Sequence, residues 1–151
     1  MSFTEILQQN WPIFVIFAIV SVGAMGYGFM RLNKIRASGQ EFLAKHPDAA
    51  KIYLTQRALI TSEAVEVHAV GGEAPMLFVE KGKRGFYILP GKHMVEVSYS
   101  YTRPGVLYKN VTQSTGAVQK ELVTEPRKSY LLGFDRNAEA FTFTETTKTN
   151  D

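Results

Sequence analysis

Residues 11–30 read WPIFVIFAIVSVGAMGYGFM and contain no charged side chain. At about 1.5 Å per residue, roughly 20 helical positions span about 30 Å, which is the thickness of the hydrocarbon core of a bilayer. A water-soluble helix of this length would carry a polar face, and this stretch has none. Trp11 and Tyr27 lie near its ends, where amphipathic rings favour the interface, and Pro12 falls in the first turn, where its missing N–H costs little. The stretch therefore predicts a transmembrane helix over residues 11–31.

The short leader before this stretch, residues 1–10, helps to distinguish two interpretations of the stretch: a permanent membrane anchor and a cleaved signal peptide. A signal peptide begins with basic residues, whereas Glu5 is the one charged side chain of the leader. Val22-Gly23-Ala24 offers the small residues of a cleavage site, but the apolar run is longer than a typical signal core. We therefore expect an uncleaved anchor.

Basic residues follow the anchor and orient it. Arg31, Lys34 and Arg36 come directly after the apolar stretch. Positive charge is retained on the cytoplasmic side, which predicts a cytoplasmic soluble domain. The same three side chains are candidates for contact with anionic lipid headgroups, each worth about 1 kcal/mol near the surface. A simple stop-transfer flank is the alternative interpretation of these residues.

Small residues inside the anchor suggest a helix contact. Ala24 and Gly28 form a small-xxx-small pair, which lets two helices approach closely. The predicted partner is another transmembrane helix, either of a second copy or of a different protein. The alternative is that glycine and alanine are common in spanning helices in any case.

A connector over residues 32–47 keeps the helical pattern, with apolar residues interleaved among basic and polar ones. This pattern predicts an amphipathic helix that continues from the anchor. Ser38-Gly39 is a candidate break within it. His46-Pro47 ends it, because the residue before a proline avoids helical geometry.

The remainder is rich in β-branched and aromatic residues, with glycine and proline at short intervals. The candidate strands are residues 51–57, 64–70, 76–79, 84–89, 94–101, 118–123, 129–134 and 140–144. Turn signals every 8–12 residues are typical of an antiparallel sandwich or barrel. We therefore predict one transmembrane helix followed by an all-β antiparallel, sandwich-like domain over residues 48–145, with a polar tail at 146–151. The predicted core is Val65, Val67, Phe86, Ile88, Val95, Val97, Tyr130, Leu132, Phe134, Phe141 and Phe143.

Three turns in this region carry a resemblance to a known family. The stretch LPGKHMVEV at residues 89–97 resembles the turn and strand of PEGA-type and related small bacterial β-sandwich domains. Val70-Gly71-Gly72-Glu73 is similar to their upstream turn, with Gly71 in place of an aspartate. The stretch at 126–130, PRKSY, resembles the entry to a later strand without its glycine. The resemblance covers roughly residues 60–135 and implies a non-enzymatic, often extracytoplasmic envelope module, on the opposite side of the membrane from the charge-based prediction.

Patterns for catalysis and metal binding are missing from the sequence. The chain has no cysteine, which excludes disulfides, thiolate zinc sites and cysteine nucleophiles. The histidines His46, His68 and His93 have no metal-ligand spacing. No G-x-S-x-G motif is present, and carboxylates such as those of Glu63 and Asp135 are scattered near strand ends. We therefore predict no catalytic residue, no metal site and no cofactor, and we do not expect an enzyme.

A tyrosine-rich segment is the candidate partner surface. Tyr99, Tyr101, Arg103 and Tyr108 combine aromatic and basic side chains, although packing within the sheet is the alternative role for such tyrosines. The net charge of +3 is too small to favour nucleic acid. The leading hypothesis is a membrane-anchored, non-enzymatic adaptor or accessory subunit that binds a protein partner or self-associates through its helix and β domain. The alternative is an extracytoplasmic envelope module that binds glycan or another envelope protein.

Overall fold

The computed structural model describes residues 3–58, 61–105 and 109–146, with side chains from Trp11 onward. The elements are α1 (Phe3–Lys45), β1 (Ala50–Leu54), β2 (Gln56–Ala58), β3 (Ser62–Val70), β4 (Met76–Glu80), β5 (Lys83–Ile88), β6 (Gly91–Pro104), β7 (Asn110–Ser114), β8 (Val118–Thr124), β9 (Ser129–Asp135) and β10 (Ala140–Glu145). The chain divides into two compact units, Met1–Ile35 and Arg36–Asp151. The predicted polar tail lies outside the described residues except for Thr146.

The first unit holds most of α1, which is a continuous helix of 43 residues. Among the described residues, α1 is the one helix long and apolar enough to cross a membrane. The span covers Trp11–Lys45, its mean hydropathy is 2.1, and none of the apolar window is buried against the rest of the chain. A signal sequence near the N-terminus would satisfy the same criteria of length and hydropathy. Such an exposed apolar surface is stable in a lipid environment and costly in water.

The second unit contains two sheets. The first sheet has the strand order β10-β9-β1-β5-β4, and the second has the order β2-β3-β6-β7 with β8 also paired to β6. This arrangement confirms the predicted class, a helix followed by an all-β domain. One strand pair corrects the antiparallel prediction, because β1 and β9 are parallel. These two strands are far apart in the chain, so no hairpin forces them to run in opposite directions.

The core lies between the two sheets. Side chains alternate along each strand, so one face of each sheet points inward. Ile52, Phe86 and Leu132 from the first sheet meet Val95 and Val97 from the second, and all five are fully buried. Burying side chains of this size contributes about 1.5–3 kcal/mol each.

The predicted core is confirmed, with additions. Each of its members is either buried in the cluster or packed against it, the partly buried ones being Val67, Phe134, Phe141 and Phe143. The cluster also contains Ala50, Ile52, Tyr99 and Leu122, which were not predicted. Ile52 was missed because the predicted strand 51–57 shows no clean alternation.

That predicted strand is in fact two strands. The N–H of Thr55 donates to the carbonyl of Leu132 in the first sheet, while the carbonyl of Thr55 accepts from the N–H of Val65 in the second. The chain therefore crosses between sheets at this residue, and β1 and β2 belong to different layers. The short strand β7 was not predicted, because its residues, NVTQS, are mostly polar and exposed.

The predicted break at Ser38-Gly39 is wrong, since α1 continues through it to Lys45. Gly39 is buried, and a Cβ added there would lie 3.0 Å from Cε2 of Tyr87 on β5. Phe42 lies one turn further on, with its ring 6.1 Å from the Tyr87 ring. The glycine therefore allows close packing of the helix end on the sheet and does not interrupt the helix.

Candidate functional site

A polar cleft opens where the two sheets meet at one end of the sandwich. Its volume is about 640 Å³, and its lining residues are Arg57, Glu63, Phe134, Asp135, Arg136, Asn137 and Thr142. These residues come from β2 and β3 of the second sheet and from β9, β10 and the connecting turn of the first sheet. The cleft therefore exists only because the sandwich brings four strands together.

Arg136 makes two contacts at the rim of the cleft. Its guanidinium carbon lies 4.0 Å from the centre of the Tyr101 ring, within the range of a cation–π contact. Its Nη1 atom also donates to Oε1 of Glu63 at 3.3 Å. Such a pair at the surface contributes up to about 1 kcal/mol, so its main effect is to fix the direction of the guanidinium group.

The turn that carries Arg136 is braced by its own side chains. Oδ1 of Asp135 accepts from the N–H of Asn137 at 2.8 Å and from that of Ala138 at 3.3 Å. This local bonding gives the loop a defined conformation without the help of a partner. The positive φ of Glu139, 49°, completes the reversal into β10. The rim of the cleft is therefore preformed.

Tyr99, a member of the predicted partner surface, lies in the core and stacks on Phe134 of the cleft lining. It is 7% exposed and stacks on Phe134 with ring centres 4.3 Å apart. Burial raises the pKa of its phenol, with the Glu63 carboxylate adding to that effect. The hydroxyl is buried and has no hydrogen-bond partner among the described residues. Tyr99 thus belongs to the core, because its inward position on β6 outweighs its hydroxyl group.

The other residues of that predicted surface have different positions. Tyr101 is half-buried beneath Arg136, and Arg103 is exposed two residues further along β6. Tyr108 lies outside the described residues. Of the described members of that surface, Tyr101 contacts the exposed rim of the cleft through Arg136.

Sequence reasoning missed the remaining lining residues. Glu63 and Asp135 looked scattered because 72 positions separate them in the chain, and only the sheet pairing brings them to one cleft. The segment Asp135-Arg136-Asn137 does carry a local signal, since an aspartate between two apolar runs is typical of a side-chain-braced turn. Arg57 has no such signal.

The predicted membrane-segment residues lie on α1. Ala24 and Gly28 are exposed and stand four residues apart, hence on one face of the helix. Arg31, Lys34 and Arg36 are exposed as well. Helix contact and headgroup contact therefore stay predictions for these residues.

The part of the chain that the structure describes contains no second candidate site built on a metal ion or on a histidine. Within residues 11–58, 61–105 and 109–146, no group of three or more His, Asp or Glu side chains could hold a metal ion. His68 instead hydrogen-bonds Oγ of Ser98 at 2.7 Å, across β3 and β6. This contact is part of the sheet surface.

No protein-family model, curated protein or solved structure matches this chain. The resemblance to PEGA-type domains therefore stays a hypothesis, based on the three turns. Each turn does contain a residue with positive φ: Gly71 at 59°, Gly91 at 119° and Arg127 at 60°.

Proposed function

We propose that the chain is a membrane-anchored, non-enzymatic adaptor or accessory subunit whose β domain binds a protein partner. The observation that carries the proposal is the preformed cleft around Arg136. Side chains that are already held by contacts in the free protein, as Arg136 is by Glu63 and Tyr101, lose less conformational freedom when a partner binds. Arginine and tyrosine are also the side chains most often found at the centres of protein interfaces.

The anchor supports the membrane part of the proposal. Residues 11–30 expose large apolar side chains over the whole stretch. We infer that this helix spans a bilayer as an uncleaved anchor, because its apolar run is longer than a typical signal-peptide core. Basic residues directly after the span favour a cytoplasmic β domain.

The cleft supports binding more than chemistry. It holds both signs of charge, with Arg57 and Arg136 opposite Glu63 and Asp135. The carboxylate of Asp135 is occupied by main-chain N–H groups, and that of Glu63 by the arginine. Mixed charges of this kind contribute to specificity and orientation in a protein complex.

Charge reversal at the cleft tests the proposal. The full-length chain would be purified from its native membrane in mild detergent as wild type, as Arg136→Glu and as the control Arg84→Glu. Arg84 is an exposed arginine on β5, outside the cleft. We expect a protein recovered in near-equal amount with wild type and control, and lost with Arg136→Glu. Equal recovery with all three would contradict the proposal, provided that circular dichroism shows the same fold.

An extracytoplasmic envelope module that binds glycan or another envelope protein is the second candidate. It is favoured by the amide, carboxylate and guanidinium groups of Asn137, Asp135 and Arg136 beside the aromatic ring of Tyr101. Planar polar groups next to an aromatic ring suit a sugar as well as a peptide. The resemblance to PEGA-type domains points in the same direction.

The side of the membrane separates the two candidates. The chain has no cysteine, so Gln119→Cys places a single reporter on an exposed position of β8. Cells with a permeabilised outer membrane would be treated with a maleimide that does not cross the inner membrane. Labelling only after lysis supports the cytoplasmic adaptor, and labelling before lysis supports the envelope module.

A further inference from the structure

The tip of the β4–β5 hairpin carries positive charge that no acidic side chain compensates. Lys81, Lys83 and Arg84 are exposed, and in the part of the chain that the structure describes none of them forms an ion pair. The adjacent carboxylate, that of Glu80, is bound by Lys51 at 2.9 Å, so these two charges cancel. Hydrogen bonding by Lys51 is the main cause of the lowered pKa of Glu80, and Lys81 adds a smaller attraction. The tip therefore keeps three positive charges after its neighbours are counted.

Other turns of the β domain differ from this tip in charge. The turns at 71–75, 125–128 and 136–139 each contain an acidic side chain. In the second of these, Lys128 is held by Glu125 at 2.9 Å and by Glu145 at 3.0 Å. Residues 81–84, KGKR, contain no acidic residue. The uncompensated charge is therefore a property of this hairpin and does not follow from the mild net charge of the whole chain.

The main chain at the tip would favour a residue other than the lysine that is present. Two residues, Lys81 and Gly82, join β4 to β5, and Glu80 pairs with Lys83 across the turn. The φ angles of the two linking residues are 49° and 76°, and positive values at both positions are typical of a type I′ turn. Asparagine or glycine adopts the first position with less steric strain than lysine does. The lysine therefore indicates a use for the charge that the turn itself does not explain.

The covalent chain limits how far this hairpin can lie from the apolar stretch of α1. A Cβ added to Gly39 of α1 would lie 3.0 Å from Cε2 of Tyr87 on β5. Nine positions separate Gly39 from Met30, the last residue of the apolar stretch, and even a fully extended chain of that length reaches only about 30 Å. Lys83 is four positions from Tyr87, or about 13 Å along the strand. If α1 spans a membrane, the tip therefore stays close to the membrane surface.

The strength of the attraction decides which occupant fits. Each lysine or arginine near an anionic bilayer strengthens the contact about fivefold, so three of them give about a hundredfold. A soluble partner bound with a Kd of about 1 μM needs about a millionfold, so three exposed charges are too few to recruit a protein or a nucleic acid from solution. A domain that its anchor already keeps at the bilayer needs no recruitment. For such a domain, a hundredfold gain suffices to turn one surface toward the lipid.

We infer that the β4–β5 tip is a lipid-binding site of the β domain, at which Lys81, Lys83 and Arg84 contact the anionic headgroups of the membrane that holds α1. This inference rests on the anchored adaptor proposed above and adds a membrane contact within the β domain itself. The contact is separate from the predicted contact of the basic flank of the helix. It agrees with a cytoplasmic β domain, because the cytoplasmic leaflet carries the anionic lipids.

The test places the full-length chain in lipid nanodiscs that contain a lipid with a paramagnetic headgroup. One set of discs is phosphatidylcholine, and the other is phosphatidylcholine with phosphatidylserine at about two to one. We expect the NMR signals of the amides at residues 81–84 to broaden in the anionic discs and to recover at high salt, which screens the attraction. Gly71 and Gly72, in the turn at the other end of β4, are the internal reference. Equal broadening of both turns, or equal signals from the tip in both sets of discs, would overturn the inference.

Two triple variants separate the tip from the net charge of the domain. The tip variant combines Lys81→Gln, Lys83→Gln and Arg84→Gln. The control variant removes three charges from residues outside the hairpin that form no ion pair among the described residues, and it combines Lys109→Gln, Lys120→Gln and Arg127→Gln. We expect the tip variant to weaken the contact about a hundredfold, so that its tip amides broaden no more in anionic discs than in phosphatidylcholine discs. An equal loss in the control variant would assign the effect to net charge and contradict a site at the tip.

The cleft variant separates this inference from the function on which it rests. Arg136→Glu should leave the broadening at the tip unchanged, because Arg136 lies on the turn after β9. Arg84→Glu should weaken the lipid contact and still allow recovery of the cleft partner, since Arg84 lies outside the cleft and the recovery is made in detergent. If the tip amides stay sharp in anionic discs while a partner is lost with Arg136→Glu, the lipid contact is wrong and the adaptor proposal stands. If they stay sharp and a partner is lost with the tip variant instead, the tip binds an acidic protein surface and the lipid inference is overturned.

Discussion

The inner and outer faces of the first sheet pack against different parts of the chain. Its inner face packs on the second sheet through side chains such as Ile52 and Phe86. Its outer face carries an aromatic row, Tyr53, Phe78 and Tyr87, and residues 39–42 of α1 pack against the Tyr87 end of that row. The strand β5 therefore alternates between two buried environments and shows no exposed face at residues 85–88.

This difference indicates how much the stability of the domain depends on each face. The inner face joins strands from all over the sequence, so damage there should affect the whole fold. The outer face is covered by one element, whose approach depends on Gly39. Gly85 is required within the sheet itself, because a Cβ added there would collide with the Ile52 carbonyl and the Phe78 ring.

The largest loss of stability should come from alanine substitutions at two neighbouring residues, Phe86 and Tyr87, whose side chains lie on opposite faces of the sheet. Phe86→Ala empties the inner face and should lower the free energy of unfolding by about 3–5 kcal/mol. Tyr87→Ala affects only the outer face and should lower the free energy of unfolding by about 2–3 kcal/mol. The effect is smaller because the Tyr87 ring packs against the end of α1 and not against a second sheet. Thermal unfolding of the full-length chain in detergent, followed by the β-sheet circular dichroism signal, gives both values. An equal cost would break the distinction between the faces.

A larger side chain between α1 and the Tyr87 ring of β5 should lower the stability by a smaller amount. Gly39→Leu forces a side chain into the space of the Tyr87 ring and should cost about 1–2 kcal/mol of unfolding free energy, even though leucine favours the helix. Ala37→Leu is the matched control, because Ala37 is exposed on the same helix. The same thermal melts apply. Destabilisation of both variants alike would mean that the helix contact with Tyr87 does not matter.

Acid should weaken the outer face before the inner one. The hydrogen bond from Lys51, with a further one from Tyr53, holds the pKa of Glu80 below its ordinary value of 4.5. Because the folded pKa is the lower one, this contribution to stability is present above pH 4.5 and is lost as the pH falls through the folded pKa. The Glu80 side chain is 44% exposed, so screening limits the effect to about 0.5–1 kcal/mol.

Glu80→Gln provides the measurement for that expectation. Stability would be measured between pH 3 and pH 7 by chemical denaturation of both proteins. The variant should be less stable than wild type at neutral pH, and the gap should close on acidification. If the difference in stability between wild type and Glu80→Gln stayed constant with pH, ionisation of Glu80 would not stabilise the outer face.

The smallest effect should come from a turn outside both faces. Arg127 has a φ of 60°, which costs an L-residue about 1–2 kcal/mol, whereas glycine accepts it. Arg127→Gly should therefore stabilise the domain by about 0.5 kcal/mol, after the greater flexibility of glycine in the unfolded chain is subtracted. Arg127→Ala serves as the control and should give no gain. A loss of stability in the glycine variant would show that the arginine side chain has a role of its own.

Several elements of the fold could be predicted from local sequence alone. An uncharged run of about 20 residues, 11–30, predicts a helix long and apolar enough to cross a membrane, and clean alternation at residues 94–101 places Val95 and Val97 in a core. These predictions succeeded because period and length are properties of the segment itself. The predicted strand 51–57 failed because its crossing between sheets at Thr55 depends on Leu132 and Val65, which are distant in the chain.

The candidate site shows the same limit. Tyr101 was predicted from its residue type, while Glu63 and Arg136 were not, because their contact exists only when β3 and the turn after β9 meet. The sequence by itself determined the long apolar helix, the β class and most of the core, since hydrophobic pattern acts over short distances. Only the tertiary structure decided the parallel pairing of β1 with β9, the packing of Gly39 on Tyr87, and the position of β10 at an edge of the first sheet. Each of these depends on contacts between segments that no local pattern connects.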